Sequence, residues 1–323
     1  MLVLGLQGSP RKKGNTRFLL SAALKEAREK YGAHTQMIDV DAMNIVPCKE
    51  YIVCEKKGFC PIDDDMRTLV YPLLRRADII IAASPVFFYN VTAQLKALID
   101  RSQTLWARKY KLKLKDPGSG QRRGFLMSVG ATRGKQLFDG IHLTATYFFD
   151  AVDAVYSGSL TYRDIESASD MAKHPTVDAD IRGAVESLCA PLARRRKILF
   201  LGEQGACRSL VAGAYARKYA GDKLDVLAAG ANPAAIPDKN AVAAMAQKGI
   251  DLAFHTPRAI GDALSEHPPD VIVIMGPDIP VPKATTAAVI KWDMPAVDGD
   301  SASAVQTACE NIEHRIKEMV ETL

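Results

Sequence analysis

The sequence predicts an α/β protein with two domains, each built on a doubly wound parallel sheet. Three observations support this prediction. The chain has 323 residues, more than one typical domain contains. Short runs rich in Val, Ile and Leu alternate with stretches of helical periodicity, as in parallel sheets that are buried on both faces. The segment APLARRRKILFLG interrupts this alternation, so we expect a first domain over residues 1–192 and a smaller second domain over residues 193–323.

The apolar runs predict four strands in each domain. In the first domain they are LVLGLQG, TQMIDV, ADIIIAASPV and GFLMSVGA, with helices over 16–31, 66–76, 91–108 and 177–188. In the second domain they are KILFLG, LDVLAAG, VIVIMG and AVIKW, with helices from residue 208, over 239–248 and over 301–323.

Composition and charge exclude several classes of partner. Hydrophobic residues make up 48% of the chain, and no apolar run is long enough to span a bilayer. The formal net charge is +5, but the basic residues do not alternate with stacking aromatic residues, so we expect no nucleic acid partner. The N-terminal MLVLGLQGSPRKKGNT has no basic segment before its apolar run, which predicts a strand rather than a signal peptide, and hence a cytoplasmic protein.

The segment GSPRKKGNT directly follows the first predicted strand and leads into a helix. A helix N-terminus after a strand offers N–H groups and a positive dipole end, which suit a phosphate. Ser9, Asn15 and Thr16 add short polar side chains. The spacing matches neither a dinucleotide fingerprint nor a Walker loop. The segment alone is therefore consistent with anion binding and with plain helix capping.

A second segment favours binding. After the strand ADIIIAA comes SPVFFYN, which places Phe87 and its aromatic neighbours at the end of another strand. Such a cluster is often part of a core, but here it lies where a planar ligand held by the first loop would extend.

These two segments resemble the motifs of the NADPH-dependent FMN reductase and iron-sulfur flavoprotein family, which has a flavodoxin-like fold. The resemblance covers about residues 1–192. It implies that FMN is the cofactor and NAD(P)H the electron donor, and that the family's habit of forming a homo-oligomer applies here. The implied phosphate ligands are Ser9, Arg11, Asn15 and Thr16. The residues implied to flank the isoalloxazine are Pro85, Val86, Phe87 and Phe88, and those implied near its pyrimidine edge are Gly130, Thr132, Arg133 and Gly134.

The same resemblance gives a meaning to the cysteine-rich segment PCKEYIVCEKKGFC. Cys48, Cys54 and Cys60 match three of the four positions at which iron-sulfur members carry cluster ligands, and Tyr51 occupies the remaining one. Three alternatives remain open: a cluster with three thiolates and an outside ligand, a zinc site, and a degenerate cluster loop. We favour the degenerate loop, because tyrosine is a poor replacement for a thiolate.

The basic stretch WARKYKLKLKDPGSGQRRG, residues 106–124, also has two interpretations. It could receive the 2′-phosphate of NADPH, or it could be a solvated loop, which we favour.

The second domain resembles the low-molecular-weight protein tyrosine phosphatase and arsenate reductase family, whose loop pattern is CxxNxCRS. In GEQGACRS the last three residues match, but Gly202 stands at the position of the nucleophilic cysteine and Gly205 at that of the asparagine. The resemblance therefore implies a loop that binds phosphate or arsenate without transforming it. The residues that would form this anion site are Gly205, Ala206, Cys207, Arg208 and Ser209.

Two further departures agree with that prediction. Met275 follows VIVI where the arsenate reductases carry a redox cysteine. The family's acid loop reads WDMPAV here, which leaves Asp293 and Asp298 as the nearby carboxylates.

Three functions follow from these patterns. The leading one is an FMN-dependent oxidoreductase that takes hydride from NAD(P)H and passes electrons to an unidentified acceptor. The alternatives are an iron-sulfur flavoprotein electron carrier with a three-cysteine cluster, and a binding protein that responds to phosphate or arsenate.

Overall fold

The computed structural model divides the chain into two compact units. It describes residues 1–266, 268–277, 279–280, 286–294 and 301–322. The first unit consists of Met1–Lys113 and Gly120–Ala193, and the second of Leu114–Ser119 and Arg194–Leu323. The short segment Leu114–Ser119, which the sequence analysis assigned to the first domain, thus belongs to the second unit.

The first unit contains a parallel sheet of five strands in the order β2-β1-β3-β4-β5. This order is that of flavodoxin-like folds and confirms the predicted fold class. The strands are β1 Leu2–Gln7, β2 His34–Asp39, β3 Ile79–Pro85, β4 Arg123–Val129 and β5 Val155–Tyr162. The α-helices are α1 Asn15–Tyr31, α2 Val53–Lys57, α3 Tyr71–Arg76, α4 Ala93–Arg101, α5 Gln103–Tyr110, α6 Asp139–Ala151 and α7 Val177–Ala193. Short 3-10 helices cover Val40–Ala42 and Met171–Lys173, and a π-helical turn covers Met66–Val70.

The central strands carry the hydrophobic core. Every residue of β1 is buried, and Val3, Ile79 and Ile81 pack with Leu19 of α1 and Leu188 of α7 in one core cluster. Burying a side chain of this size contributes about 1.5–3 kcal/mol. The core therefore fixes the register of the strands whose carboxyl ends carry the polar loops.

Two elements of the first unit lack a strong sequence signal. β5 lies at the sheet edge with mostly half-exposed residues, and its pairing with β4 shifts in register between Gly124 and Leu126. Gly158 adopts a φ of 125° within this strand, which few other residues tolerate. An edge strand of this kind shows neither a buried run nor strict alternation, so the sequence analysis missed β5 and the helix α6 before it.

The second unit contains a parallel sheet of four strands in the order β7-β6-β8-β9. The strands are β6 Arg196–Gly202, β7 Leu224–Gly230, β8 Val271–Ile274 and β9 Ala288–Lys291. The α-helices are α8 Arg208–Ala220, α9 Lys239–Gln247, α10 Ile260–Glu266 and α11 Ala302–Glu321. This smaller α/β unit is the predicted second fold.

Segment Leu114–Ser119 joins the second unit through its backbone. The N–H of Lys115 donates to the carbonyl of Gly249 at 2.9 Å, and its carbonyl accepts from Asp251 at 2.8 Å. At the other end of the basic stretch, Arg122 is buried in the first unit and donates to the carbonyls of Ala77, Val152 and Arg75. The stretch is therefore partly structural, which the sequence did not predict.

Within the described residues, no helix is both long enough and apolar enough to cross a membrane.

Candidate functional site

A cavity of about 280 Å³ lies at the carboxyl ends of β1, β3 and β4. The chain passes from β1 to β2 on one side of the sheet, whereas β3 pairs with β1 on the other. The cavity therefore lies at a topological switch point, where open α/β sheets bind ligands. Its walls are Ser9, Pro10, Arg11, Gly14, Asn15, Thr16, Pro85, Val86, Phe87, Val129, Ala131, Ile165 and Glu166.

The first loop approaches the sheet so closely that only glycine fits at its start. The N–H of Gly8 donates to the carbonyl of Ala83 at 2.8 Å, and its carbonyl accepts from the Thr92 hydroxyl at 2.5 Å. A Cβ atom on Gly8 would lie 2.8 Å from the side chain of Leu95. The framework thus fixes the point from which the loop enters α1.

The N-terminus of α1 suits an anion. Its N-cap is Gly14, with no side-chain capping bond among the described residues, and its first turn contains no acidic residue. The nearly buried hydroxyl groups of Ser9 and Thr16 line the cavity together with Arg11. Uncapped helical N–H groups, hydroxyl groups and a guanidinium are the donors that a phosphate requires.

The side chain of Asn15 is engaged by a distant segment of the chain. Its side-chain amide donates to the carbonyl of Ser167 at 2.7 Å, and its amide oxygen accepts from the N–H of Met171 at 3.1 Å. Both ends of the amide are therefore engaged by the 165–171 loop. Asn15 therefore lies in the cavity wall and holds that loop against the start of α1 through hydrogen bonds.

The second loop forms a tight hairpin after β3. Pro85, Val86 and Phe87 line the cavity, as the sequence suggested, whereas Phe88 lies outside the lining and is fully exposed. Phe87 itself is 50% exposed, so its ring forms part of the cavity wall and part of the surface.

The third loop contributes less to the cavity than the sequence suggested. Ala131 lines it, whereas Gly130, Thr132, Arg133 and Gly134 do not. The guanidinium of Arg133 instead donates to both carboxylate oxygens of Asp164, at 3.0 and 2.9 Å.

The sequence analysis missed Ile165 and Glu166, which complete the cavity. The backbone N–H of Ile165 donates to the carbonyl of Gly130 at 3.0 Å, which places this segment beside the third loop. The segment carries no ligand motif, so no sequence signal could have identified it. Its position depends on the pairing of β4 with β5.

The cysteine-rich segment is held by protein contacts on both sides of its thiols. Arg101 and Asp64 form a buried ion pair at 2.6 Å, and Arg101 also donates to the carbonyl of Val46 at 2.7 Å. Arg108 donates to the carbonyl of Gly58 at 2.8 Å. These contacts fold the segment onto α4 and α5.

The thiols themselves do not form a metal centre in this arrangement. Cys48 is exposed, and Cys54 and Cys60 are half-buried. Burial raises the pKa of the Cys54 thiol. In the part of the chain that the structure describes, no three His, Cys, Asp or Glu side chains are arranged to hold a metal ion. The three thiols are therefore not arranged as a common ligand set, and the degenerate cluster loop stays a prediction.

The second unit contains a larger cavity, of about 610 Å³, around the loop between β6 and α8. Its walls are Gly202, Glu203, Gln204, Gly205, Ala206, Cys207, Arg208, Ser209, Ala234, Ile236, Pro237, Asp238 and Lys239. All five residues predicted to bind an anion are therefore brought together here.

Hydrogen bonds to segment 231–238 orient the peptide groups of this loop. Four backbone N–H groups of this segment donate to loop carbonyls. They are Ala231 to Gly202 at 3.0 Å, Asn232 to Glu203 at 2.8 Å, Ala234 to Gln204 at 2.9 Å and Asp238 to Ala206 at 3.0 Å. The N–H of the next residue points opposite to each carbonyl in a planar trans peptide. The N–H groups of residues 203, 204, 205 and 207 therefore point away from segment 231–238, as in an anion-binding nest.

Gly202, which stands at the family's nucleophile position, has no side chain. The hydroxyl of Ser209 lies beside this position. A Cβ atom on Gly202 would lie 2.9 Å from the Ser209 hydroxyl oxygen. That oxygen is buried and makes no hydrogen bond with the described residues. Arg208 donates to the carbonyl of Met294 at 3.1 Å and lines the same cavity.

The thiol of Cys207 also lines this cavity. Burial raises the pKa of Cys207 to about 12, and the nearby Cys309 and Asp238 add to this effect. A thiol with this pKa is almost entirely protonated at neutral pH and is a poor nucleophile.

Two of the positions considered for catalysis outside this loop lie within the described residues. Met275 is fully buried in the core, and Asp293 is exposed, its backbone carbonyl accepting from Arg315. Asp298, the other carboxylate considered, lies outside the described residues.

Two family models match the chain. The model described as NADPH-dependent FMN reductase matches residues 1–144. The model described as low molecular weight phosphotyrosine protein phosphatase matches residues 197–282. The first match lies in the first unit except for residues 114–119, and the second match lies in the second unit.

Individual relatives divide in the same way. An iron-sulfur flavoprotein of Methanosarcina thermophila is 41% identical over 41% of this chain and 65% of its own length. The chain thus spans less than two thirds of that relative. An iron-sulfur flavoprotein of Archaeoglobus fulgidus is 40% identical over 49% of this chain and 77% of its own length. Arsenate reductase 1 of Bacillus cereus is 30% identical over 41% of this chain and 98% of its own length.

Proposed function

The chain belongs to the iron-sulfur flavoprotein family through its first unit and to the arsenate reductase and low-molecular-weight phosphatase family through its second, and from that premise we propose that it is an FMN-dependent oxidoreductase. Its electron donor is NAD(P)H, and the second unit is an oxyanion-binding domain without phosphatase activity.

The observation that carries this proposal is the cavity at the switch point of the first sheet. FMN, when bound, supplies a ring that takes up a hydride from a nicotinamide and releases electrons to an acceptor. Ser9, Arg11, Thr16 and the first N–H groups of α1 would hold its phosphate. The donor set fits a dianion, because helix dipole, hydroxyl groups and guanidinium all favour negative charge.

The rest of the cavity would orient and shield the ring. Pro85, Val86 and Phe87 offer apolar and aromatic surface beside the phosphate loop. We assign Gly130, Thr132, Arg133 and Gly134 to the pyrimidine edge, where the N–H groups of Thr132, Arg133 and Gly134 would stabilise negative charge that develops on reduction. The N–H of Gly130 donates to the carbonyl of Tyr162. The ion pair of Arg133 with Asp164 moderates the positive charge at this position.

The cysteine-rich segment has no step in this function. The buried contacts of Arg101 and Arg108 already order the segment, and the three thiols do not form a ligand set.

An absorption spectrum of the purified protein, recorded before and after anaerobic addition of NADPH, tests the proposal. We expect a flavin band that NADPH bleaches, and one FMN released per chain on denaturation. A colourless protein that takes up no FMN on reconstitution would refute it. Iron and sulfide analysis of anaerobically purified protein tests the absence of a cluster, which a stoichiometric iron content would contradict.

The buried Ser209 hydroxyl favours a second function, the binding of phosphate or arsenate in the second unit. A buried hydroxyl without a partner costs free energy, which a bound oxyanion would offset by accepting its hydrogen bond. Calorimetric titration with phosphate and arsenate should show binding in the unmodified protein and much weaker binding in Arg208→Ala. The absence of heat at millimolar anion would refute this function.

We also propose that the protein acts in the cytoplasm as a homo-oligomer formed by its first unit. Light scattering on the intact protein checks the oligomeric state, and a monomeric mass would contradict it.

A further inference from the structure

The side chain of Gln7 is buried at the start of the first loop without a hydrogen-bond partner. Gln7 is the last residue of β1, directly before Gly8, and none of its surface is exposed. Neither its amide oxygen nor its amide nitrogen makes a hydrogen bond with the described residues. A buried amide without a partner costs free energy, and buried polar groups in folded proteins normally have one. The amide of Gln7 therefore indicates a partner that arrives with a ligand or with solvent.

The geometry of β1 determines the direction of this side chain. Successive side chains of a strand point to opposite faces of the sheet, so Gln7 lies on the same face as Gly5. A Cβ atom on Gly5 would lie 2.9 Å from the side chain of Leu20, which belongs to α1. Gln7 therefore points toward the face of the sheet that α1 covers.

The first turn of α1 lies over Gln7. Because β1 and β2 are parallel, the helix that connects them runs back along the sheet, against the direction of β1. Gln7 lies two residues beyond Gly5, about 6.6 Å along the strand. Thr16 lies four residues before Leu20, about 6 Å along the helix. Since Gly5 and Leu20 lie against each other, these matching steps place Gln7 opposite Thr16.

An ion pair places the same turn of α1 at the same level of the sheet. Gln7 pairs in register with Asp39 of β2, and residues paired in this way present their side chains on the same face. The carboxylate of Asp39 accepts a hydrogen bond from the guanidinium of Arg17 at 2.7 Å. Arg17 directly follows Thr16 in α1. This contact agrees with the position of Thr16 opposite Gln7.

We propose that Gln7 is a positioning residue for the phosphate of FMN and that it acts through Thr16. Thr16 lines the cavity, whereas Gln7 does not. A threonine hydroxyl has one hydrogen to donate. When the amide nitrogen of Gln7 donates to the hydroxyl oxygen of Thr16, that hydrogen is directed to the phosphate, and each of the two bonds strengthens the other. The inference rests on the proposed flavin function, since the phosphate is that of the proposed cofactor.

An ordered water is the other candidate partner for the amide of Gln7. A buried water typically makes about two to four hydrogen bonds to polar groups. Leu20 and Ala83, which belong to the core cluster on this face of the sheet, are apolar and offer none. A water would also satisfy Gln7 whether or not a phosphate is bound. The two partners therefore predict different effects of Gln7 on the affinity for FMN.

The variant Gln7→Met tests the inference, because methionine is also unbranched and lacks the amide. The Kd for FMN, measured by fluorescence titration of the apoprotein, should rise about tenfold, because a bond that orients a phosphate ligand is lost. The Kd for riboflavin, which lacks the phosphate, should change about twofold at most. The melting temperature of the apoprotein should stay the same or rise by about 2 °C, because a buried amide without a partner is removed.

Two further variants distinguish positioning from a general effect on packing. Thr16→Val lacks the hydroxyl through which Gln7 acts, so the addition of Gln7→Met to this variant should weaken FMN binding no further. Tyr31→Phe is the matched control, because it removes another buried hydroxyl that has no partner among the described residues, at the opposite end of α1. This control should change neither Kd.

Several results would overturn the inference. Equal FMN affinity of the unmodified protein and Gln7→Met, with a lower melting temperature in the variant or without one, would assign the amide to a bound water. An equal loss of affinity for FMN and riboflavin, or a further loss in the double variant, would show that Gln7 does not act on the phosphate through Thr16. Absence of FMN binding by the unmodified protein would remove the proposed function as well, whereas the other results leave it standing.

Discussion

Each unit of the chain has a loop that joins a central strand to a helix, and the two loops differ in the source of the reactive group that they would need. The loop from Gly8 to Thr16 and the loop from Gly202 to Ser209 each follow the strand at the switch point of a parallel sheet and lead into a helix. Both loops line a cavity. In the first unit the reactive group would arrive with a cofactor, whereas in the second it would have to be a side chain at position 202.

We infer from this difference that the shape of an anion-binding loop does not depend on the side chain that carries the reactive group. The second loop is shaped by backbone contacts, such as those of its carbonyls with segment 231–238, and by Gly205, whose φ is 65°. None of these contacts requires a side chain at position 202. We therefore expect glycine at this position to leave the cradle intact, and the loss of the nucleophile stays a prediction.

Restoring the missing side chain gives the largest expected effect. Cys207 has a pKa of about 12, so only about 10⁻⁵ of it is thiolate at pH 7. A thiol of Gly202→Cys would lie beside the Ser209 hydroxyl and the loop N–H groups, which lower thiol pKa values to about 7 or below. Site-resolved mass spectrometry should show iodoacetamide reacting with the new thiol roughly 10⁴-fold faster than with Cys207.

Phosphate should protect the new thiol, and slow hydrolysis of p-nitrophenyl phosphate by the variant would support the assignment. Hydrolysis by the unmodified protein would contradict it. Equal reactivity of the two thiols would show that the loop does not form an anion site.

The phosphate-binding role of the first loop is tested by Thr16→Val, which removes a hydroxyl and keeps the side-chain shape. Loss of a hydrogen bond to a charged phosphate should raise the Kd for FMN about 10- to 100-fold. Fluorescence titration of the apoprotein measures this Kd. Riboflavin, which lacks the phosphate, is the matched ligand, and an equal loss of riboflavin affinity would argue against a phosphate contact.

The variant Asn15→Ala tests whether the side chain of Asn15 holds the 165–171 loop in place or binds the phosphate. Its two hydrogen bonds with the 165–171 loop predict a loss of about 2 kcal/mol in the free energy of unfolding. The affinities for FMN and riboflavin should then fall by similar factors, because the cavity wall loosens. A loss restricted to FMN would instead assign the side chain to the phosphate.

In the second loop, Ser209→Ala should weaken phosphate binding about tenfold in calorimetric titration. The same change should leave the free energy of unfolding unchanged or raise it by about 1 kcal/mol, because it removes a buried hydroxyl without a partner. Clear destabilisation without a change in phosphate affinity would mean that the hydroxyl serves folding alone.

The smallest effect concerns the anchoring of α8, the helix behind the second loop. Burial acts to raise the pKa of Glu313, but hydrogen bonds from Lys248, Tyr219 and Lys317 outweigh it and hold this pKa at about 2. A carboxyl with a lowered pKa stabilises the fold above its ordinary pKa, and this contribution disappears as the pH falls through the folded value.

Denaturant unfolding at pH 5 and pH 2 should therefore show about 1 kcal/mol more loss for the unmodified protein than for Glu313→Gln. The phosphate affinity at pH 7 should be the same for both proteins. Identical pH dependence would show that the anchoring of α8 does not depend on this charge.

The sequence determined most of the architecture and the identity of both loops. Buried runs such as IIIAASP and the loop GSPRKKGNT report directly on strands and on helix entry, because hydrophobic periodicity and glycine placement act over a few residues. The family's loop pattern, aligned on Arg208, places Gly202 at the nucleophile position, and this assignment stays a prediction. The sequence also predicted the placement of Pro85, Val86 and Phe87.

Tertiary structure decided everything that depends on contacts between distant segments. Asn15 and Thr16 are neighbouring polar residues, and the sequence assigned both to the phosphate. In the fold, the distant 165–171 loop binds the side chain of Asn15, whereas Thr16 lines the cavity. The edge strand β5 and the transfer of residues 114–119 to the second unit likewise follow from pairing partners that no local pattern specifies. The positive φ and the full exposure of Phe88 were also visible only in the fold, because both are properties of the folded chain and not of the amino-acid sequence.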